Sequence, residues 1–143
     1  MRMVVDANVA AKWYLPEPDS AKALALLGTP HQLIAPSLIK MEVCAAITRR
    51  VRVKEITAAE AKEHCEEWFV DLREDAVQLV PEEDILMRAI ELSAKVRHSL
   101  QDCLYLAVAD LHRIPLITAD EPFVKKAAPH HQEIHLLSKW RMN

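Results

Sequence analysis

Five short, largely apolar runs punctuate this chain: Met3–Val5, Leu33–Ala35, Ala76–Val80, Pro115–Thr118 and Ile134–Leu137. Helical patterns fill the stretches between them. The runs show no alternation of apolar and polar residues, which is how strands read when both faces of their sheet are covered. Short buried strands alternating with helices predict a parallel sheet wrapped on both sides. The fold class is therefore α/β, a three-layer sandwich with a central parallel sheet of four to five short strands. No repeat, low-complexity segment or linker interrupts the pattern, so residues 1–143 read as one domain.

The intervening segments carry start and stop signals. Ala7 to Leu15 reads as a helix that ends near Pro16 and Pro18, because a proline pushes its predecessor out of the helical region. Asp19-Ser20 is placed to cap a second helix, with Gly28 as its stop. A long helix follows Pro36-Ser37 and reaches Val53. Thr57-x-x-Glu60 is a capping box opening a helix through Asp71. Pro81-Glu82-Glu83-Asp84 is an acidic helix start that suits the helix dipole. Ser99 opens a helix from Leu100 to Leu111, and a short helix spans Pro122 to Ala128.

Composition then narrows the chemistry. Gly28 is the one glycine in 143 residues. A dinucleotide fingerprint needs three glycines and a phosphate-cradling Walker loop needs two, so neither is available. The charge sum is 18 − 21 = −3, too acidic for a protein that grips nucleic acid by counterion release alone. A metal or a local basic patch would have to supply the positive charge. Cys44, Cys65 and Cys103 are odd in number and show no C-x-x-C spacing, so no disulfide framework or zinc ribbon follows from them. Asp6 stands where a signal peptide would need an apolar core, and no run has the length of a membrane span. The chain reads as cytoplasmic, with no membrane partner.

Four carboxylates stand out. Asp6 follows the first strand directly, at the edge where open parallel sheets bind ligands, although an acid there also suits a helix start. Glu42 has Leu38, Ile39, Ala45 and Ala46 as its neighbours one turn away, an apolar setting that an acid seldom occupies without a partner. The other reading is a helix turned so that Glu42 lies at the rim. Asp102 lies three residues after Ser99, where a capping-box variant is one reading. Tyr105, Leu106 and Ala109 continue its face, so the acid points along an apolar stripe. Asp120 follows the fourth strand and could equally cap the helix containing Pro122. If the first and fourth strands are neighbours, Asp6 and Asp120 share one sheet edge, and the crossover helices can bring Glu42 and Asp102 to the same spot. Several desolvated carboxylates repel one another unless protonated or joined by a hard cation. Mg²⁺ and Mn²⁺ favour oxygen ligands of this kind, and no histidine or cysteine pair completes a zinc site.

These residues resemble a known family. Val4-Val5-Asp6-Ala7-Asn8-Val9, with Lys12-Trp13 and Leu15-Pro16-Glu17, is similar to the opening of PIN-domain ribonucleases, in particular VapC-type toxins of prokaryotic toxin–antitoxin pairs. Pro36-Ser37-Leu38 with Glu42 resembles the family's first acidic helix. Asp102-Cys103-Leu104-Tyr105-Leu106-Ala107 resembles its D-x-x-Y-x-A segment, and Leu116-Ile117-Thr118-Ala119-Asp120 its T-x-D strand. Two departures are Cys103, where the family has a small residue, and His112-Arg113, where it often has a glycine-containing turn.

The resemblance implies a PIN-like fold and Mg²⁺-dependent (or Mn²⁺-dependent) endonucleolytic hydrolysis of RNA. It places Asp6, Glu42, Asp102 and Asp120 in the metal site, with Asn8 and Thr118 as polar groups that orient carboxylates or water. It also implies a homodimer and a VapB-type antitoxin partner. For RNA contact the chain offers Arg49, Arg50 and Arg52 in its densest basic run, and Lys12; cations at a helix C-terminus are the plainer reading of that run. A non-catalytic module of the same fold, binding RNA or a protein, is the competing expectation.

Overall fold

The computed structural model describes residues 1–28 and 30–141. Its strands are β1 (Arg2–Val5), β2 (Gln32–Pro36), β3 (Gln78–Val80), β4 (Leu116–Thr118) and β5 (Ile134–Leu136). They form one parallel sheet in the order β3-β2-β1-β4-β5. The helices among the described residues are α1 (Ala7–Ala10), α2 (Ser20–Leu24), α3 (Ile39–Arg52), α4 (Ala58–Arg73), α5 (Leu86–Val96), α6 (Leu100–His112) and α7 (Glu121–Ala127).

The strand order decides where a ligand would sit. The chain builds outward from β1 through β2 to β3, then returns across α5 and α6 to lay β4 on the other side of β1. Val4 pairs with Ile34 on one side and with Leu116 on the other. Connections leave β1 and β4 in opposite directions, and this opens a crevice beyond their carboxyl ends.

Met3, Val4 and Val5 are all fully buried, as are Leu116, Ile117 and Thr118. Successive strand side chains point to opposite faces, so the central strands are covered on both sides, as the lack of alternation predicts. The helix α6 is buried through seven consecutive residues, Cys103 to Ala109, and packs on β1, β2 and β4. A stretch of helix apolar all round, as Cys103–Ala109 is, belongs inside a molecule. Beside α4, Trp68 is fully buried with Trp13 and Tyr14 tilted against it at ring separations of 6.2 and 5.9 Å. Trp68 and Tyr14 belong to the core, and the partly buried Trp13 packs against it.

Several local expectations shift. The segment Ala7–Leu15 is not one helix: α1 stops at Ala10 and passes into a 3-10 turn over Ala11–Trp13. Asp19 makes no capping bond and takes a left-handed conformation (φ 67°). The Ser20 hydroxyl instead accepts from the Glu17 backbone N–H at 2.9 Å. The acidic stretch Glu82–Asp84 is a 3-10 turn, and α5 begins only at Leu86. The Thr57–Glu60 capping box forms in both directions, each bond 3.1 Å long.

Candidate active site at the carboxyl edge of the sheet

Asp6 ends β1, and its backbone N–H donates to Ile117 in β4 at 3.0 Å. Although it stands at the N-cap of α1, its side chain caps nothing. The carboxylate is 3% exposed and accepts from the Thr118 hydroxyl at 2.8 Å. Asn8 reaches the same oxygen at 3.4 Å, and its own carbonyl oxygen accepts from the Ala119 N–H at 3.0 Å. Thr118 in turn accepts from the Asp120 N–H at 3.1 Å. The two polar residues therefore lace β1 to β4 at the crevice and fix the Asp6 carboxylate between them.

Asp120 does cap α7, but with one oxygen only: Oδ1 accepts from the Phe123 N–H at 3.1 Å. Its Oδ2 turns the other way, to within 3.7 Å of His98 Nε2. Asp102 behaves similarly. Its backbone N–H is satisfied by the Ser99 hydroxyl at 3.2 Å, while its carboxylate accepts from His98 Nε2 at 2.6 Å. Both acids serve helix starts and still present a carboxylate oxygen inward. Glu42 lies at the rim of α3, beside the buried stripe Ile39, Val43 and Ile47 rather than within it. Its partner is the Tyr105 hydroxyl of α6, which donates at 2.6 Å.

Asp6, Glu42 and Asp102 share one electrostatic environment. Burial, the charge on Asp102 and then that on Glu42 push the Asp6 carboxyl up to about 7, against the lowering pull of Thr118. Burial likewise raises Glu42, with Asp102 adding to it and the Tyr105 bond opposing it. Tyr105 is held well above the usual phenol range by burial and by the surrounding acids, Asp6 foremost. Carboxyl groups forced toward protonation by one another are those a cation would relieve. One donor atom each from His98, Asp102 and Asp120 lie within 4.8 Å of one another, a spacing that one divalent ion can span. Asp6 and Glu42 lie outside this trio and are tied to it through the charge on Asp102, which raises both.

Two residues at the site escape sequence reasoning. His98 sits four positions before Asp102, on what the chain pattern marks only as a loop. Its signal is that i, i+4 spacing into a helix start. Tyr105 reads as stripe-filling, and its hydroxyl bond to Glu42 spans 63 positions.

The basic candidates separate. Lys12 bonds Glu17 at 2.9 Å, and Arg50 pairs with the same Glu17 and with Glu55. Their charge is already matched, which counts against phosphate contact. Arg49 and Arg52 are exposed, with no ion pair among the described residues. Arg49 follows Glu42 by two helical turns, on the same face and about 10 Å away along the axis.

Comparison with known proteins agrees with this architecture. A family model described as PIN domain matches residues 3–129. No curated protein matches the chain. A solved structure described as a toxin–antitoxin complex from Klebsiella pneumoniae superposes with a TM-score of 0.67 at 18% identity, over 98% of this chain and 99% of that one. No helix among the described residues is long and apolar enough to cross a membrane.

Proposed function

The chain belongs to the PIN domain family, and from that premise we propose that it is a metal-dependent endoribonuclease acting as the toxin of a VapBC-type toxin–antitoxin pair. The observation that carries the reading is Asp6, a buried carboxylate held by Thr118 at the switch point and facing two further acids. A core residue of that kind is a liability for stability unless it holds something. The likeness to a toxin–antitoxin complex supports an antitoxin partner; a homodimer and a cytoplasmic setting belong to the same reading.

A divalent cation, Mg²⁺ or Mn²⁺, would supply charge neutralisation at the phosphate and a more acidic bound water. Asp6, Asp102 and Asp120 would hold it, the last two through oxygens that already converge near His98. Thr118 and Asn8 keep the Asp6 carboxylate from rotating, so that little reorganisation remains at the moment of reaction. Glu42, held by Tyr105 and raised by burial, would either add a ligand oxygen or take the proton of the attacking water. Arg49 would meet the RNA backbone beyond the site.

The test is incubation of structured RNAs with the protein, with and without Mg²⁺ or Mn²⁺, beside Asp6→Asn. Metal-dependent cutting that Asp6→Asn abolishes is the expected result. Binding of RNA without cutting by the wild type would favour the non-catalytic module, and cutting unchanged in Asp6→Asn would remove the site from the reaction.

A further inference from the structure

The acids alone describe a hard, all-oxygen site. The structure adds a nitrogen. His98 Nε2 lies 2.6 Å from Asp102 Oδ2 and 3.7 Å from Asp120 Oδ2. Adjacent ligands on an octahedral ion at about 2.1 Å stand about 3 Å apart; the 2.6 Å hydrogen bond and the 3.7 Å gap bracket that spacing, so the three groups converge on one place that an ion could occupy after a small adjustment.

The ring is also held in place. It stacks on Phe123 with centroids 4.5 Å apart and planes 9° from parallel, and Phe123 is fully buried. The His98 carbonyl accepts from the Ser93 hydroxyl at 2.6 Å, and Arg97 before it takes the left-handed turn that ends α5. A surface histidine reaching for the nearest acid would need none of this. Asp120 caps α7 with its other oxygen, on the backbone N–H of the same Phe123 that the ring stacks on, so the loop ring packs against that helix start.

We propose that His98 is a nitrogen ligand of the cation, and that the site is built for a transition-metal ion such as Mn²⁺ in preference to Mg²⁺. Imidazole adds little for Mg²⁺, which favours oxygen, and strengthens the hold on transition ions. The inference rests on the cation-site reading above. Its step is a simple exchange: the Nε2–H bond to Asp102 gives way to a bond from the Nε2 lone pair to the ion, with the ring proton carried on Nδ1.

Pulsed EPR of the Mn²⁺-loaded protein, prepared with ¹⁴N- and ¹⁵N-histidine, reads the bond directly, and calorimetry of Mn²⁺ and Mg²⁺ binding reads the preference. Histidine nitrogen coupling to Mn²⁺ in the wild type is expected. In His98→Gln the coupling should vanish and Mn²⁺ affinity fall roughly tenfold, with Mg²⁺ affinity changed by no more than about twofold. Mn²⁺ bound at the carboxylates without nitrogen coupling overturns the inference and leaves the cation site standing. Equal loss of both ions in His98→Gln also overturns it, because His98 would then act only by positioning Asp102. No binding of either ion to the wild type overturns the cation site and this inference together. The coupling experiment needs no variant, so a folding defect in His98→Gln cannot obscure the result.

Discussion

At the scale of single residues the site works against the stability of the fold. Asp6 carries a folded pKa of about 7, well above the value of about 3.9 it has in an unfolded chain. Between those values the folded protein holds a proton that the unfolded chain releases. Without a divalent ion, stability therefore falls as pH rises from about 4 to about 7, and stays low above that. Asp6→Asn keeps an acceptor for Thr118 and removes the charge. In chelator at neutral pH it should be more stable than the wild type by about 1–3 kcal/mol, with the difference vanishing near pH 4. Thermal melts at the two pH values check this; a variant less stable at neutral pH would show that the charged Asp6 is not a burden. Tyr105→Phe removes the hydroxyl that orients Glu42, and kcat for RNA cleavage should fall by roughly tenfold to a thousandfold, with KM little changed. Steady-state kinetics on one cleaved RNA separates the two constants.

At the scale of elements, the scarcity of glycine has a structural consequence. Left-handed residues at or just past the ends of four helices are Lys54, Asp75, Arg97 and Arg113, none of them glycine. Arg113 closes α6 at φ 55°, in the turn where the resembled family often has glycine. Arg113→Gly should stabilise the protein by about 0.5–1 kcal/mol, read as a shift in the denaturation midpoint. The helix α3 sorts its basic residues by partner. Arg49→Ala should weaken RNA binding and lower the slope of log affinity against log salt by about 0.7, whereas Arg50→Ala, already paired with Glu17 and Glu55, should leave the slope unchanged. Binding assays at several salt concentrations decide between them. Legibility in the sequence follows the same lines. Caps set by local chemistry, such as Thr57–Glu60, were readable because both partners lie within one turn. The break in Ala7–Leu15 was not, because tertiary packing of Trp13 and Tyr14 against Trp68 overrides local propensity there. A left-handed arginine carries no sequence signal at all.

At the scale of the whole molecule, the strand order turns scattered acids into one place. Asp6 and Asp120 are 114 positions apart in the chain and share one sheet edge, joined through the Thr118 hydroxyl, because β1 and β4 are neighbours. The sequence exposes the four acids and the α/β alternation. It cannot fix the order of the sheet, and beyond the i, i+4 spacing of His98 to Asp102 it gives no sign that His98 would also approach Asp120. The core that holds this arrangement centres on α6: Leu106→Ala, at a fully buried position of that helix, should cost about 2–5 kcal/mol, measured by chemical denaturation. On the proposed reading, the crevice beyond β1 and β4 holds a divalent cation on its carboxylates. Anomalous diffraction from crystals grown with millimolar Mn²⁺ tests it most directly. A peak with oxygens of Asp6, Asp102 and Asp120 at about 2.1–2.2 Å is the predicted result; no peak in the crevice, with those carboxylates left as they stand without metal, would contradict it.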